Sequence, residues 1–170
     1  MPVSALETIL PEIAHRYRRV RSGLTVGFDG ETAAQTLRDF RGGVWMASEA
    51  DRELPFDDAQ FEVVVVASAS VSREMVREAN RILVSGGCMF FTVDEKRGGE
   101  APGYTAPEIY RLVREGFDIL AVHRPKWWYF GLKGHTLTVC ARKKAWRERA
   151  RGVFGDGAYL FTPFRTKNER

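Results

Sequence analysis

The sequence predicts an α/β fold with a mostly parallel sheet that ends in an antiparallel hairpin. Strand-like and helix-like segments alternate from residue 23 onward. One of the strand-like segments contains a continuous valine run at residues 63–66, typical of a strand buried on both faces of a parallel sheet. The last two strand-like segments follow each other without a helix, which favours an antiparallel pair. The 170 residues are enough for one domain with a substantial core.

The first half of the chain contains two predicted helices and two predicted strands. Apolar residues recur at helical intervals at the N-terminus, where Ser4 and Glu7 have capping-box spacing; Pro11 leaves open a helix that begins near it. The predicted segments are a helix over residues 4–21, a strand over 23–28, a helix over 31–40 and a strand over 42–48. The second helix is expected to bury Ala33, Ala34, Leu37 and Phe40.

The second half continues the alternation. The predicted segments are a strand within residues 58–70, a helix over 72–87, a strand over 88–95, a helix over 105–117 and closing strands over 117–125 and 135–143. Ser72 is in position to cap the first of these helices, which Gly86 and Gly87 are expected to end. Thr105 and Glu108 have capping-box spacing at the start of the other. The stripe expected to be buried comprises Met75, Val76, Ala79, Ile82 and Leu83.

The distribution of charge and the two cysteines indicate which binding partners and which cellular compartment to expect. Residues 142–170 carry nine Lys/Arg and three Asp/Glu, a local charge of +6 against +4 for the whole chain. Such a basic tail could contact nucleic acid, an anionic membrane or an acidic partner, or simply aid solubility. Cys88 and Cys140 both lie in apolar strands, so we expect free thiols and a reducing cytoplasm. Neither a signal peptide nor a membrane-spanning segment is predicted.

Two stretches resemble the class I S-adenosylmethionine-dependent methyltransferases of the type 11 group. The first is "LPFDDAQFE" before the valine strand, and the second is the "E-x-x-R-I-L-x-x-G-G" pattern at the end of the next helix. The resemblance covers about residues 23–144. It implies a Rossmann-like sheet that binds S-adenosylmethionine and closes with one antiparallel strand. The expected organisation is an N-terminal helix (1–22), a methyltransferase-like domain (23–145) and a basic, aromatic tail (146–170).

The resemblance places the cofactor loop after the first strand, where the family has a G-x-G-x-G pattern. Gly27 corresponds to the first glycine; Asp29 and Glu31 occupy the other two positions, unless Gly30 serves with a shift of one. Glycines there let the backbone approach the cofactor closely. Asp29 and Glu31 are predicted either to bind cofactor ammonium or hydroxyl groups, or to cap the following helix and favour its dipole.

The segment after the second strand is too short for the helix and third strand that the family has there. We therefore expect one strand–helix unit to be missing. Glu49 is then a candidate to accept hydrogen bonds from the ribose hydroxyls, and Asp51 a candidate neighbour of the adenine amine. Ser68 and Ala69 follow the valine strand, where the crevice of a parallel sheet lies. The candidate cofactor-binding residues are Gly27, Asp29, Gly30, Glu49, Asp51, Leu54, Ser68 and Ala69.

The most unusual local feature is the aromatic run at residues 127–130, flanked by Lys126 and Lys133. It could stack on a planar substrate or base, cover a sheet edge, or form a dimer or partner contact, as could the tail. The three histidines lack the spacing of a zinc site, and no metal is predicted.

Three functions stay open from the sequence. The first is a methyltransferase acting on an unknown small molecule. The second is a catalytically inactive, methyltransferase-like binding or partner subunit, and the third is a nucleic-acid-associated protein using the basic tail. A sulfonium methyl donor is already activated, so the protein mainly aligns donor and acceptor, and no catalytic residue is predicted.

Overall fold

A computed structural model describes residues 5–49, 53–67, 71–96, 103–123 and 136–145. That part of the chain forms four helices and six strands. The helices are α1 (Ala5–Arg16), α2 (Gly30–Arg41), α3 (Arg73–Ile82) and α4 (Ala106–Val113). The strands are β1 (Ser22–Val26), β2 (Val44–Ser48), β3 (Phe61–Val66), β4 (Leu83–Asp94), β5 (Phe117–His123) and β6 (Thr136–Lys143).

The strands form one mixed sheet in the order β2-β1-β3-β4-β6-β5. The first four strands pair in parallel. The sixth strand lies between β4 and β5 and is antiparallel to both. The predicted mostly parallel sheet with a closing antiparallel pair is therefore confirmed.

Helices cover both faces of the sheet. On one face, α1 and α2 bury Ile9, Ile13 and Leu37 against a cluster that includes Val63 and Phe90. On the other face, α3 and α4 pack on a second cluster of buried sheet residues. That cluster includes Met75, Val76, Ala79, Ile82, Ile109 and Val113 from the helices. The apolar stripe predicted for α3 is buried as expected because its spacing matches the helical repeat.

The connection between β2 and β3 is short. Its described residues, 49 and 53–60, contain neither a helix nor a strand. As a result β2 lies at one edge of the described sheet. The side chain of Trp45 is buried on the α2 side, whereas Val44 and Met46 on the other side are 68% and 40% exposed.

The first helix is shorter than the periodicity predicts. It ends at Arg16 and contains Pro11 in its interior, so neither the end at residue 21 nor a start near Pro11 is observed. The chain beyond the helix is tied to the sheet instead. The backbone N–H of Arg21 donates to Glu62 Oε2 (2.8 Å), and its carbonyl accepts from the N–H of Val44 (3.0 Å).

The predicted end of α3 at residues 86–87 is wrong, because the helix ends at Ile82 and β4 begins at the next residue. The backbone N–H groups of Ala59 and Gln60 donate to the carbonyl oxygens of Arg81 and Ile82, at 3.0 and 2.7 Å. These bonds satisfy carbonyls that a helix end leaves without helical partners. A turn distant in sequence therefore ends this helix.

Candidate functional site

The carboxyl ends of β1, β2 and β3 meet at one edge of the sheet. Val26 is level with Ser48 on one neighbouring strand and with Val66 on the other. Just beyond them, the N–H of Gly27 donates to the carbonyl of Ser48 (3.0 Å), and the N–H of Ala67 donates to that of Val26 (2.9 Å). Open α/β sheets bind ligands in the crevice outside these strand ends.

Gly27 makes the turn that leads from β1 towards α2. Its φ of 73° lies in the left-handed region, which L residues with a side chain rarely adopt. The residue is exposed and α2 begins three residues later at Gly30. The turn itself therefore favours glycine at the position that the sequence assigned to the first loop glycine.

Asp29 occupies the N-cap position of α2, but its side chain makes no capping hydrogen bond. The main-chain carbonyl of Asp29 accepts the first hydrogen bond within the helix, from the N–H of Ala33 (3.2 Å). The predicted capping by the Asp29 side chain is wrong, because its exposed carboxylate makes no capping hydrogen bond. Glu31 lies in the first turn, where a negative charge interacts favourably with the helix dipole.

Glu49 directly follows β2 and is exposed. Gly27 and Glu49 each stand one residue beyond the paired positions Val26 and Ser48, on strands about 4.8 Å apart. Together with Asp29, the structure thus brings three of the predicted residues to the same edge of the sheet. The exposed carboxylates there give this edge a negative field that suits a cationic ligand.

The other candidate residues are placed differently. The side chain of Leu54 is only 2% exposed and belongs to the hydrophobic core, while its N–H donates to Glu78 Oε2 (3.1 Å). Asp51, Ser68 and Ala69 lie outside the described residues. So do the aromatic run at 127–130 and the tail at 146–170.

The structure also shows a role for Arg81, which the sequence indicates only as a position in a motif. Its guanidinium donates to the carbonyl oxygens of Leu54 (3.0 Å) and Phe56 (2.7 Å). It also pairs with Asp58 (3.0 Å) and Glu78 (2.8 Å). The hydrogen bond from Arg81 lowers the pKa of Glu78. Arg81 thereby attaches the segment between the crevice and β3 to helix α3.

Arg81→Ala is expected to lower the free energy of unfolding by about 2 kcal/mol, because two carbonyl contacts and two carboxylate contacts are lost together. Arg77→Ala, an exposed change on the same helix, is the control and should cost less than about 0.5 kcal/mol. Urea unfolding measures both.

The same contact makes the stability depend on pH. Since the folded-state pKa of Glu78 is lowered, the contribution of its carboxylate to the free energy of unfolding is present at neutral pH and disappears as the pH falls through that pKa. The difference between the two variants should therefore become smaller in acid, where the contacts of Arg81 with the carbonyl oxygens of Leu54 and Phe56 remain. Equal stabilities at neutral pH would contradict the assignment.

The described ranges contain neither a metal-binding cluster nor a membrane-spanning helix. No three His, Cys, Asp or Glu side chains come together there in a way that could hold a metal ion. Every helix in those ranges is too short or too polar to traverse a lipid bilayer.

Comparison with known proteins gives structural neighbours only. No family model matches the sequence, and no curated protein matches it. The 1,6-didemethyltoxoflavin-N1-methyltransferase of Burkholderia thailandensis, solved with S-adenosylhomocysteine, is 18% identical with a TM-score of 0.61, covering 84% of this chain and 79% of its own. A chain from the complex of the Haloferax volcanii Trm112 methyltransferase activator with a proposed methyltransferase is 14% identical with a TM-score of 0.62. The match covers 83% of this chain and 89% of that one. An S-adenosylmethionine-dependent methyltransferase from Aquifex aeolicus is 11% identical with a TM-score of 0.58, and the match covers 81% of this chain and 88% of that one.

Proposed function

We propose that this chain, whose fold is that of the class I S-adenosylmethionine-dependent methyltransferases, binds S-adenosylmethionine and methylates a small molecule. The observation that carries the proposal is the arrangement at the carboxyl edge of the sheet. A left-handed glycine turn after β1 stands beside an exposed carboxylate at the end of β2. In nucleotide-binding α/β folds, these two positions approach the ligand and bind its ribose hydroxyls.

The residues at this edge fit the cofactor chemically. Gly27 has no Cβ to obstruct the methionine portion, and Gly30 opens helix α2 with N–H groups beside the loop. Glu49 would accept hydrogen bonds from the ribose hydroxyls. Asp29 and Glu31 would favour the cationic sulfonium and ammonium groups by charge.

The remaining assignments stay proposals. Asp51 would lie near the adenine amine, and the small residues Ser68 and Ala69 would leave room for the ligand beside the end of β3. The Leu54 side chain is in the hydrophobic core, so we propose that it supports the pocket by packing and does not contact the cofactor.

S-adenosylmethionine, when bound, supplies an already activated methyl group. The protein then has to hold the acceptor in line with that group and exclude water, and these are positioning tasks. A general base is required only for an acceptor that must lose a proton. Among the described residues, we propose the exposed carboxylates at the crevice as that general base.

Calorimetric titration of the full chain with S-adenosylhomocysteine tests the cofactor proposal. We expect saturable binding with one site per chain and a Kd on the order of 1–100 μM, in the range of enzyme–substrate affinities. Absence of binding at millimolar ligand would refute it. A small-molecule acceptor screen that follows transfer of a labelled methyl group then tests the reaction.

A second candidate function is that of a non-methylating partner subunit. The exposed apolar side chains of Val44 and Met46 on the edge strand favour it, because such side chains are common at protein interfaces. The Haloferax neighbour was solved in complex with a methyltransferase activator. Cofactor binding without methyl transfer in any screen would favour this alternative. A cytoplasmic location, and contact of the tail with nucleic acid, remain predictions.

A further inference from the structure

Strand β2 lies at one edge of the sheet, and among the described residues no strand pairs with its outer side. The N–H of Val44 donates to the chain just before β1, and the carbonyl of Ser48 accepts from the turn after β1, both at 3.0 Å. These two residues therefore direct their backbone polar groups towards β1. Backbone groups of successive strand residues point in opposite directions, so the N–H and C=O groups of Trp45 and Ala47 face outwards.

The outer part of β2 has none of the features that usually protect a sheet edge. Charged side chains, proline and bulges are the common means of preventing a further strand from pairing there. Residues 42–48 contain no charged residue and no proline, and β2 pairs with β1 without a register shift. The exposed side chains of Val44 and Met46 are apolar and lie on one face of the strand, on either side of Trp45. This edge is therefore open to pairing.

The opposite edge of the described sheet differs in each of these respects. Strand β5 has a register shift between Ile119 and Ala121, which is typical of a bulge. It also carries a carboxylate, Asp118, which lies 3.7 Å from Arg142 and 3.9 Å from Lys144. A bulge and charged side chains both oppose pairing with another chain. The two edges of this sheet are thus unequal, and the one at β2 is the unprotected edge.

We propose that β2 pairs antiparallel with β2 of a second copy of this chain, about a two-fold axis at Trp45. Outward-facing residues must lie opposite one another to exchange backbone hydrogen bonds, which limits the possible registers. With the axis at Trp45, the two Trp45 residues form one such pair, and Gly43 lies opposite Ala47 of the partner subunit. Val44 then lies opposite Met46 of the partner subunit, and Met46 opposite the partner's Val44.

Of the registers that the backbone permits, this one covers both apolar side chains. An axis at Val44 would place Met46 opposite Gly42 of the partner subunit, and an axis at Met46 would place Val44 opposite the partner's Ser48. Side chains approach most closely in the pairs without backbone hydrogen bonds, and apolar pairs there stabilise a sheet. The strand is therefore complementary to itself in one register, which favours a second copy as the partner.

The charges at the two ends of β2 favour the same orientation. Glu49 is exposed just after the strand, whereas the exposed guanidinium of Arg19 donates to the carbonyl of Gly42 just before it (3.3 Å). The carboxylate of Glu62 is also at that end of the sheet, but it belongs to β3 and is separated from β2 by β1. Antiparallel pairing sets Ser48 level with Gly42 of the partner subunit, so the acidic end of each strand meets the basic end of the other. Such complementarity selects the orientation of an interface.

The size of the contact sets the expected affinity. A strand of five residues with two exposed apolar side chains offers less area than the roughly 1,600 Å² of a standard interface. We therefore expect reversible dimers with a Kd on the order of 10–100 μM. The inference is independent of the proposed cofactor chemistry, since it depends on the edge of β2 and is tested without ligand.

Sedimentation velocity of the full chain between about 1 and 500 μM, a range that brackets the expected Kd, tests the association. Met46→Lys should raise the dimer Kd by about 10-fold or more, because it replaces an apolar pair on each side of the axis with a charge. Val122→Lys is the matched control, since Val122 is 45% exposed on the other edge strand; it should change the Kd less than about 2-fold. A wild-type chain that stays monomeric would overturn the proposal and leave the edge to a strand of another protein. Equal weakening by both variants would also overturn it.

Disulfide cross-linking tests the register. Opposite residues in a pair without backbone hydrogen bonds have Cα atoms about 4.5 Å apart, within the span of a disulfide, whereas diagonal residues about 7–8 Å apart are beyond it. A mixture of the Val44→Cys and Met46→Cys variants should therefore form a disulfide dimer on oxidation, and each variant alone should form several-fold less. Peptide mass spectrometry distinguishes this link from the buried Cys88 and Cys140. More cross-linking in either variant alone than in the mixture would overturn the proposed register.

Discussion

Glu49→Gln is expected to weaken the binding of S-adenosylhomocysteine by about 100-fold, which corresponds to about 2.7 kcal/mol. Glu49 stands one residue beyond β2, level with Gly27 at the carboxyl edge of the sheet. In the proposed complex its carboxylate accepts hydrogen bonds from the ribose hydroxyls, and charge-assisted bonds are about twice as strong as neutral ones. S-adenosylhomocysteine is the appropriate ligand because it lacks the sulfonium charge, which removes one electrostatic contribution to the loss besides the ribose contact. Isothermal titration calorimetry of both proteins measures it.

Asp57→Asn is the matched control for this prediction. Asp57 is exposed and lies in the turn before β3, away from the carboxyl edge, and its substitution changes the net charge equally. We expect it to change the Kd less than 2-fold, as for a screened surface charge. If both variants lost affinity equally, the effect would be one of overall charge. If neither did, Glu49 would not contact the ribose.

Gly43→Ala is expected to lower the free energy of unfolding by about 3 kcal/mol or more. A Cβ at this position would lie 1.8 Å from the carbonyl oxygen and 2.8 Å from the carbonyl carbon of Val20. These are backbone atoms beside the start of β1, and Val20 itself is fully buried. The clash can be relieved only by moving β2 away from the backbone of Val20, and this movement disturbs the sheet edge that carries Glu49.

The adjacent glycine provides the control. Gly42→Ala places a methyl group where no atom lies within 4 Å, but at a φ of 59°. It should cost only about 1 kcal/mol, the penalty for a side chain in the left-handed conformation at a helix end. Chemical denaturation of the two single variants measures both losses in the free energy of unfolding. A loss at Gly43 no larger than that at Gly42 would contradict the close approach.

Several elements could be predicted because they depend on residues close in sequence. The hydroxyl of Ser72 accepts from the N–H of Met75 (3.1 Å) at the start of α3, as predicted. Thr105 and Glu108 form the predicted capping box at α4. Such bonds join residues three positions apart, so they can be recognised from spacing alone.

Other features depend on residues that are distant in the chain. The end of α3 is set by Ala59 and Gln60, more than twenty residues earlier, so the glycines at 86–87 gave a wrong boundary. Asp is a common N-cap residue and Asp29 occupies the N-cap position, yet its side chain makes no capping hydrogen bond. The surface depression lined by Tyr17, Cys88 and Arg142 could not be foreseen, because these residues come from three separate parts of the sequence.

The sequence by itself determined the class of the fold and the position of the loop after β1. Hydrophobic periodicity and local caps act over a few residues, and they suffice to place strands and helices in order. Only the tertiary structure decided which side chains meet. Pairing of β1 with β2 brings Gly27 and Glu49 to one edge, and pairing of β4 with β6 brings Cys88 beside Arg142. The physical reason is that strand register is a long-range property, and a site built from several strands exists only once that register is set.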